Sequence, residues 1–357
     1  MKDIPASATY NLIIGSYTDH SPGSGIYVYA FDPATLSLAE KAKSGPVRNP
    51  SYLCLDDDTT RLYCVNEDGS QSGVSAFTYI PASGALEFMN RMDAEGNDPC
   101  YIINDANNVI TANYGAGTIN VFSKQQDGSL GEVRQVIRHT GGSLDSTRQE
   151  KAHVHMVLFS PGHSRLLCSD LGTDTLYIYS YAADGGSKTL VLEHRVPVSP
   201  GSGPRHLAFH PDGRCFALIN ELSATVQMYR YDGEKPVLLQ QADLAAENDS
   251  GLKSGGDLAF SPDGNFLYAT NREKSNTVTV FSVRADYRLG CIQQISSCGQ
   301  GPRNLVIDPT GNYLLVANQN SDTIVIFRRD TATGLLSDTS KRIAVSSPAC
   351  MVFSICR

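Results

Sequence analysis

The chain has 357 residues, an apolar fraction of 41% and a formal net charge of −8 at pH 7. This length allows either two average domains or one long all-β domain, and the apolar content is sufficient for a large core. No apolar run of about 18 residues is present, which excludes a membrane-spanning helix, and the negative charge argues against nucleic acid or an anionic membrane as a partner.

The predicted elements begin with two apolar strands, Tyr10–Gly15 and Gly25–Phe31. They correspond to the second and third strands of a unit that recurs along the chain, but no first strand precedes them. Weaker copies of the unit begin at Pro50, Pro99 and His153. The chain is therefore interpreted as a series of repeats.

The clearest copy of the unit begins at Pro204. Its first strand is followed by the turn Pro211–Gly213, a second and a third strand, and a more polar fourth strand. The same pattern returns at Gly256 and at Pro302. The chain ends with Ser347–Ser354, which is predicted as a first strand that no second strand follows.

Each complete unit has a polar residue at the end of its second strand. These residues are Asn66, Asn113, Asp170, Asn220, Asn271 and Asn318. They are about 47, 57, 50, 51 and 47 residues apart, which is the period of propeller blades. Joining the C-terminal first strand to the two N-terminal strands gives a seventh unit. The sequence therefore predicts one all-β domain over residues 1–357, a seven-bladed β-propeller of four-stranded antiparallel blades closed by its terminal strands.

The nine cysteines are an odd number, and several, such as Cys64, Cys168 and Cys215, lie in apolar strands, where reduced cysteine acts as a small core residue. No CxxC pair indicates a zinc ribbon or a redox motif. Residues 1–9 lack a basic segment followed by an apolar one. We therefore expect a cytoplasmic protein, although a chain whose export leader had been removed would begin in the same way.

In an antiparallel blade, the start of the first strand and the end of the second lie on the same face, at one mouth of the central channel. Charged residues at these positions are Glu67, His153, His155, Asp170, Arg205, His206, Glu221, Arg272 and Arg303. The arginines and histidines predict an anionic ligand, and the long polar connector from Arg138 to Ala152 is a candidate lid. The alternative is that these charged strand ends are solvated or paired.

The remaining polar patterns are interpreted as structural. His20, His139, His163 and His194 are expected to be ordinary surface residues, and His210 belongs to a turn on the opposite face. The repeated asparagines are expected to hold the turn between the second and third strands through side-chain to backbone hydrogen bonds.

The segment Gly203–Pro211, followed by Asn220-Glu221, resembles the seven-bladed propeller 6-phosphogluconolactonase family, whose fold is shared with fungal carboxymuconate lactonizing enzymes. The segment His153-Val154-His155 and the pair Asn271-Arg272 add to the resemblance. The repeat pattern that carries it covers nearly the whole chain.

The resemblance implies lactone hydrolysis at the mouth without a metal or a cofactor. The implied catalytic residues are His155, Arg205, Glu221 and Arg272, and the expected substrate-binding residues are His153, His206 and Arg303. The family pattern has His-Pro-His where this chain has His-Val-His, and this difference weakens only the assignment of His153. The implied substrate is a small anionic lactone, most specifically 6-phospho-D-glucono-1,5-lactone of the pentose phosphate pathway, and the expected assembly is a monomer or a weak homodimer.

Opening a lactone requires a base that activates water and a donor for the carbonyl oxygen. Either His155 or Glu221 can be the base, and the sequence does not decide between them. Arg205 is expected to polarise the carbonyl, and Arg272 to hold a carboxylate or a phosphate. Because these residues are expected at the surface, their substitution should leave stability nearly unchanged.

Three other interpretations are consistent with the sequence. A cycloisomerase that acts on a muconate-type diacid would use the same arginines. A calcium-dependent gluconolactonase-type site would use Glu67, Asn113, Asp170 and Asn220 as oxygen ligands. The third is a non-catalytic propeller that binds a protein, although such a face should expose apolar patches rather than arginines.

Overall fold

The computed structural model describes residues 9–19, 24–244 and 253–356. The start of the chain, residues 1–8, and His20 lie outside the described residues. Within these ranges the chain forms β-strands, no α-helix, and three short 3-10 turns at Gly69–Gln71, Gly186–Lys188 and Gln319–Ser321. No helical segment among the described residues has the length and apolar character needed to cross a membrane.

The described strands form seven sheets of four antiparallel strands each, numbered here as blades from the first complete repeat. The strands of the first three blades, from the channel outwards, are as follows. Blade 1 has β4 (Leu53–Leu55), β5 (Arg61–Asn66), β6 (Gly73–Ile80) and β7 (Ala85–Asp93); blade 2 has β8 (Pro99–Asn104), β9 (Asn108–Asn113), β10 (Thr118–Lys124) and β11 (Leu130–Arg138); blade 3 has β12 (Val154–Phe159), β13 (Arg165–Asp170), β14 (Thr175–Tyr181) and β15 (Leu190–Pro197).

The next three blades repeat this arrangement. Blade 4 has β16 (Pro204–Phe209), β17 (Cys215–Asn220), β18 (Thr225–Arg230) and β19 (Val237–Asp243); blade 5 has β20 (Gly255–Phe260), β21 (Phe266–Asn271), β22 (Thr277–Val283) and β23 (Leu289–Ser296); blade 6 has β24 (Pro302–Ile307), β25 (Tyr313–Asn318), β26 (Thr323–Arg329) and β27 (Leu336–Ala344). Every second strand ends at the polar residue that the repeat predicted.

Blade 7 joins the two ends of the chain. Its strands are β28 (Pro348–Ile355), β1 (Tyr10–Ser16), β2 (Ile26–Asp32) and β3 (Ser37–Lys43). β28 and β1 pair in an antiparallel register that includes Tyr10 opposite Ile355 and Ile13 opposite Val352. The predicted fold and its closure by the terminal strands are confirmed.

The core lies between adjacent blades, because each sheet is covered on both faces. β9, β17 and β25 are buried along their whole length, which explains why the second strands are apolar runs without alternation. The outer strands, such as β7, contain both partly buried and exposed positions. Burial on both faces therefore accounts for the apolar pattern that recurs in each unit.

The cysteines contribute to this core. Cys64, Cys168, Cys215 and Cys350 are buried, and all cysteines in the described part of the chain are free. Burial raises the pKa of Cys215 to about 12, so its thiol stays neutral. The prediction that cysteine acts here as a small core residue is confirmed.

Candidate active site

A β-bulge at the start of the first strand places one side chain of the blade at the channel mouth. In blade 4, Pro204 pairs with Asn220 and His206 pairs with Ile219, so that Arg205 is the extra residue of the bulge. A bulge bends its strand and re-aims the side chain that it carries. The side chain of Arg205 is thus oriented by an irregularity of the strand.

The same irregularity occurs in the neighbouring blades. The extra residue is Cys100 in blade 2, His155 in blade 3 and Arg303 in blade 6, and the register also shifts around Gly256 in blade 5. We call Cys100, His155, Arg205, Gly256 and Arg303 the bulge ring. Since bulges are frequent next to active sites, this ring marks the mouth as the candidate site.

A second ring is formed by the residue that follows each second strand. The backbone N–H of Glu221 donates to Gly203 O at 2.6 Å, and that of Arg272 donates to Ser254 O at 2.7 Å. Gly203 has a φ of 67°, in the left-handed region that favours glycine, which explains the glycine of the Gly-Pro-Arg segment. The members that line the mouth are Tyr17, Glu67, Tyr114, Glu221 and Arg272, which we call the strand-end ring.

The two rings enclose a cavity of about 310 Å³. Its walls are formed by Tyr17, Glu67, Cys100, Tyr114, Arg148, His155, Glu221, Ser254, Arg272, Glu273 and Arg303. The volume lies near the lower end for small-molecule sites, and the lining is dominated by charged and hydroxyl groups. The cavity therefore suits a small polar ligand.

Glu221 is the centre of one wall, among cationic side chains. Its Oε2 accepts a hydrogen bond from Arg205 Nε at 3.0 Å and forms an ion pair with Arg272 Nη2 at 2.9 Å. Its Oε1 accepts a hydrogen bond from Arg148 Nη2. Burial by itself would raise the pKa of Glu221, but Arg272 and Arg205 outweigh it and hold the pKa well below its usual range. Glu221 is therefore an ionised carboxylate that organises the guanidinium groups around it.

Arg205 lies behind this wall, with its side chain only 2% exposed. Its Nη1 donates to Gly256 O at 2.6 Å and lies 3.2 Å from His206 Nε2. Because arginine only donates, His206 Nε2 is the acceptor, and His206 Nδ1 carries the hydrogen that is donated to Asp257 Oδ1 at 2.7 Å. Burial, helped by Arg205, lowers the pKa of His206 to about 4. His206 and Asp257 thus form a layer beneath the cavity that fixes Arg205.

His155 reaches the cavity from the bulge of blade 3. Its Nε2 lies 3.7 Å from Glu221 Oε2, and its Nδ1 lies 3.8 Å from Cys100 Sγ. Burial and the positive charge of Arg205 hold the pKa of His155 well below its usual range. The imidazole is therefore neutral at pH 7, in the form that can accept a proton.

The opposite wall contains a second glutamate with a different set of partners. Glu67 Oε2 accepts hydrogen bonds from Tyr17 OH at 2.7 Å and from Ser51 Oγ at 2.5 Å. Arg303 Nη2 donates to Tyr17 OH at 2.8 Å, and its guanidinium lies 5.2 Å from the centre of the Tyr17 ring. This wall joins Arg303 to Glu67 through a phenol rather than by a direct ion pair.

Three further side chains that the sequence analysis did not name also line the cavity. Arg148 belongs to the connector between blades 2 and 3, and its Nη2 also donates to Tyr114 OH at 3.3 Å. Tyr114 and Tyr17 directly follow second strands. The register that selected Glu67 and Glu221 applies equally to these tyrosines, so it is the signal that could have identified them.

The structure separates the predicted site residues into two groups. His155, Glu221, Arg272 and Arg303 line the cavity, whereas Arg205, His206 and His153 do not. His153 Nδ1 contacts Tyr114 O at 3.0 Å, and its Nε2 contacts Glu150 Oε2 at 3.1 Å. The residues of the second group therefore support the wall from outside the cavity.

The prediction that His139 is an ordinary surface residue is wrong. Its side chain is 2% exposed, with Nδ1 at 2.8 Å from Asp170 Oδ2 and Nε2 at 2.6 Å from Tyr179 OH. Asp170 Oδ1 accepts the backbone N–H groups of His153 and Thr173. Both oxygens of Asp170 thus fix the base of the connector. This carboxylate is therefore poorly suited to bind the calcium ion of the alternative interpretation.

The repeated asparagines differ in part from their prediction. Asn113 and Asn220 donate to the hydroxyls of Thr118 and Thr225, at the start of the third strand, rather than to the backbone. Asn318 donates to a backbone carbonyl, Ser297 O, but in the connector before the first strand. These side chains therefore tie the end of the second strand either to the third strand or to the connector before the first strand. A buried amide needs a hydrogen-bond partner, and the partner differs from blade to blade.

Within the described ranges, one group of metal-ligating side chains lies close enough to share an ion. It consists of His210, Asp212 and Cys215, with ligand atoms within 4.8 Å of one another. His210 and Asp212 lie in the turn between β16 and β17, and Cys215 is the first residue of β17, on the face opposite the cavity. The calcium-site interpretation placed its ligands elsewhere, at the mouth.

Comparison with known proteins identifies relatives over nearly the full chain. The sequence profile of a family described as "Lactonase, 7-bladed beta-propeller" matches residues 11–353. The 6-phosphogluconolactonase of Bacillus subtilis strain 168 is 32% identical over 345 residues, which are 95% of this chain and 97% of the relative. The corresponding enzyme of Formosa agariphila is 32% identical over 94% of this chain and 97% of its own.

Solved structures agree with this result. The periplasmic gluconolactonase PpgL of Pseudomonas aeruginosa superimposes with a TM-score of 0.92 and 34% identity, over 97% of this chain and 99% of that one. A Bacteroides fragilis protein provisionally assigned as a 6-phosphogluconolactonase gives a TM-score of 0.94 and 36% identity, over 99% and 100% of the two chains. The similarity therefore extends over the whole fold.

Proposed function

The chain belongs to the seven-bladed β-propeller lactonase family, and on this basis we propose that it hydrolyses the ring ester of a sugar-acid lactone. The specific substrate that we propose is 6-phospho-D-glucono-1,5-lactone, because relatives that match almost end to end are named 6-phosphogluconolactonase. One observation carries the proposal: Arg148, Arg272 and Arg303 face a single cavity that also contains Glu221 and the neutral His155. The lining also contains Glu67 and Glu273, so the cavity has charges of both signs, and its three guanidinium groups supply the donors for the anionic group of a lactone.

His155 is the base in this proposal. The pKa of each of the two groups is depressed. We assign the base to His155 because Glu221 is already bound by three guanidinium groups, whereas the neutral imidazole of His155 lines the cavity and can accept a proton at pH 7. Water attacks the lactone carbonyl as His155 takes one of its protons. The ring C–O bond then breaks, and the same proton passes from His155 to the leaving ring oxygen, which becomes a hydroxyl.

The donor for the carbonyl oxygen is Arg272 rather than Arg205. Arg272 lines the cavity, while Arg205 lies behind Glu221 with its Nε and Nη1 engaged by Glu221 and Gly256. A fixed cation at the developing oxyanion lowers the barrier without any reorganisation. In this assignment Arg205 and Glu221 are positioning residues that hold Arg272, and His206 holds Arg205.

The test is a hydrolysis screen of phosphorylated and free aldonolactones, each measured with and without a chelator. We expect ring opening well above the spontaneous rate, and we expect it to persist in EDTA, since the mechanism uses no metal. Loss of activity in EDTA and its return with calcium would contradict this mechanism in favour of the calcium-dependent alternative. Activity only on a muconate-type diacid would instead establish the cycloisomerase.

The cellular setting is also proposed. Hydrolysis of 6-phosphogluconolactone places the protein in the pentose phosphate pathway, and the reduced cysteines favour the cytoplasm, with a monomer or weak homodimer as the active form. One similar protein is named as periplasmic, so compartments differ among similar proteins. Cell fractionation of the native host and light scattering of the purified protein test these two points.

A further inference from the structure

Arg148 differs from the other cations around Glu221 in where it comes from. Arg205 lies in the bulge at the start of β16 and Arg272 directly follows β21, but Arg148 lies in the connector 139–153. This connector is longer than the connector 94–98 between blades 1 and 2. The Arg148 side chain is 43% exposed, compared with 2% for Arg205 and 14% for Arg272. Arg148 is therefore the guanidinium of this group that a ligand entering from solvent meets first.

The backbone beneath Arg148 is held firmly. Asp145 Oδ1 accepts the backbone N–H groups of Thr147 at 2.9 Å and of Arg148 at 3.1 Å. Gln149 is fully buried, and its Nε2 donates to Leu171 O at 2.8 Å. The guanidinium of Arg148 can thus change partner by rotating its own side chain, while the connector stays in place.

The charges around Glu221 keep the free-energy cost of such an exchange small. Oε2 of Glu221 is already bound by Arg205 and Arg272, whereas Arg148 occupies Oε1. Removing Arg148 leaves the buried carboxylate with two guanidinium partners, so no unpaired buried charge is created. The planar fork of a guanidinium matches a phosphate group, and an exposed arginine loses little solvation when it binds one.

We propose that Arg148 is the residue that binds the phosphate of the substrate, and that it leaves Glu221 when it does so. This inference rests on the proposed lactone hydrolysis and adds the residue that makes the protein prefer a phosphorylated lactone over a free one. When Arg148 moves to the phosphate, Oε1 of Glu221 becomes available to a hydroxyl of the bound sugar. Binding of the phosphate thus frees a hydrogen-bond acceptor for the sugar of the same substrate.

The experiment compares kcat/KM for 6-phospho-D-glucono-1,5-lactone and for D-glucono-1,5-lactone in the parent, Arg148→Ala and Arg148→Lys. We expect Arg148→Ala to lower the ratio of the two constants by about 10- to 100-fold, as for the loss of a charge-assisted bidentate contact. Arg148→Lys should recover part of the ratio, because it keeps the charge and loses the fork. Lys151→Ala is the matched control, since Lys151 lies in the same connector and donates to Gly115 O away from the cavity.

Calorimetric binding of the products separates phosphate recognition from an effect on turnover. Arg148→Ala should weaken 6-phosphogluconate much more than gluconate, while Lys151→Ala should affect neither. An unchanged ratio of kcat/KM, or an equal loss of affinity for the two products, would overturn the role of Arg148. A parent protein that opens only the free lactone would overturn this inference and leave lactone hydrolysis intact, whereas a parent that opens neither lactone would overturn both.

Discussion

Glu67 of blade 1 and Glu221 of blade 4 occupy the same position of the repeat, one residue beyond the end of the second strand, yet their surroundings differ completely. Glu221 is bound by Arg148, Arg205 and Arg272. Glu67 instead accepts hydrogen bonds from the hydroxyls of two uncharged side chains. The repeat places the two carboxylates at the same height around one cavity, but it does not determine their chemistry.

The difference originates in the bulge ring and in the adjacent blades. The bulge residue beside Glu221 in its own blade is Arg205, and the corresponding residue beside Glu67 is Ser51. The next blade supplies Arg272 to Glu221, whereas blade 7 supplies Tyr17 to Glu67. One regular scaffold thus carries a cationic wall, to which we assign the chemistry, and a hydroxyl-rich wall opposite it. This contrast predicts a graded series of mutational effects.

The largest effect is expected for Glu221→Gln. Without the carboxylate, the charges of Arg205 and Arg272 are no longer compensated by Glu221, and the guanidinium of Arg272 is held only by its hydrogen bonds to Ser254 and Gly255. We expect kcat for 6-phosphogluconolactone to fall by at least about a hundredfold, the scale of losing one preorganised donor. Steady-state kinetics measures this effect, once the circular dichroism spectrum of the variant has been shown to match that of the parent. A turnover within about threefold of the parent would refute the role of Glu221.

Arg205→Ala should combine a loss of turnover with a loss of stability. The sequence suggested a surface residue whose removal leaves stability unchanged, but Arg205 is buried, and removing one partner of a buried ion pair costs about 3 kcal/mol. Arg303→Ala is the matched comparison at the same bulge position, because Arg303 contacts the hydroxyl of Tyr17. We expect urea unfolding to show a much smaller loss of stability for Arg303→Ala than for Arg205→Ala, and we expect an increase in KM to be the main effect of Arg303→Ala. Equal losses of stability in the two variants would contradict the contrast between the walls.

The pH profile of kcat/KM offers a finer comparison. Because the pKa of His155 is depressed, the base is lost only when the pH falls well below about 6.5, so activity should be flat through neutrality and decline on the acid side. Glu221 partly offsets this depression, so the residual activity of Glu221→Gln should decline at a still lower pH. An acid limb at or above pH 6.5 in the parent would show that another group is the base.

The smallest effect is expected for Glu67→Gln. Glutamine keeps an oxygen that can accept the hydrogen bonds of Tyr17 and Ser51, so the wall should persist with a net change of about 1 kcal/mol or less. We expect kcat to stay within about threefold of the parent in the same kinetic assay. A loss as large as that of Glu221→Gln would mean that the two walls share the chemistry.

The fold was predictable from the sequence because its signal is repeated in every unit. In blades 1 to 6 each second strand is buried on both faces and ends in Asn or Asp, so a weak match in one unit is supported by the clear matches in the others. The incomplete units at the ends, Tyr10–Ser16 and Pro348–Ile355, were identified by the strands that each lacked. A repeated pattern of this kind is therefore sufficient to derive the architecture and its closure.

The site was predictable only where its residues follow the repeat. His155, Glu221, Arg272 and Arg303 were placed at the cavity by register, and they line it. Arg148 lies in a connector without a repeated position, so no register indicates where its side chain points. The burial of Arg205 and of His139 depends on how adjacent blades pack, which a single repeat does not encode.

The most direct test of the central claim, that the Glu221 wall performs the chemistry, is a crystal structure with 6-phosphogluconate bound. The account predicts the product's carboxylate within about 3 Å of Arg272 and beside His155, at the position of the former lactone carbonyl. It also predicts the phosphate on Arg148, turned away from Glu221. A product carboxylate bound to the wall formed by Tyr17, Glu67 and Arg303, with Arg148 still on Glu221, would contradict it.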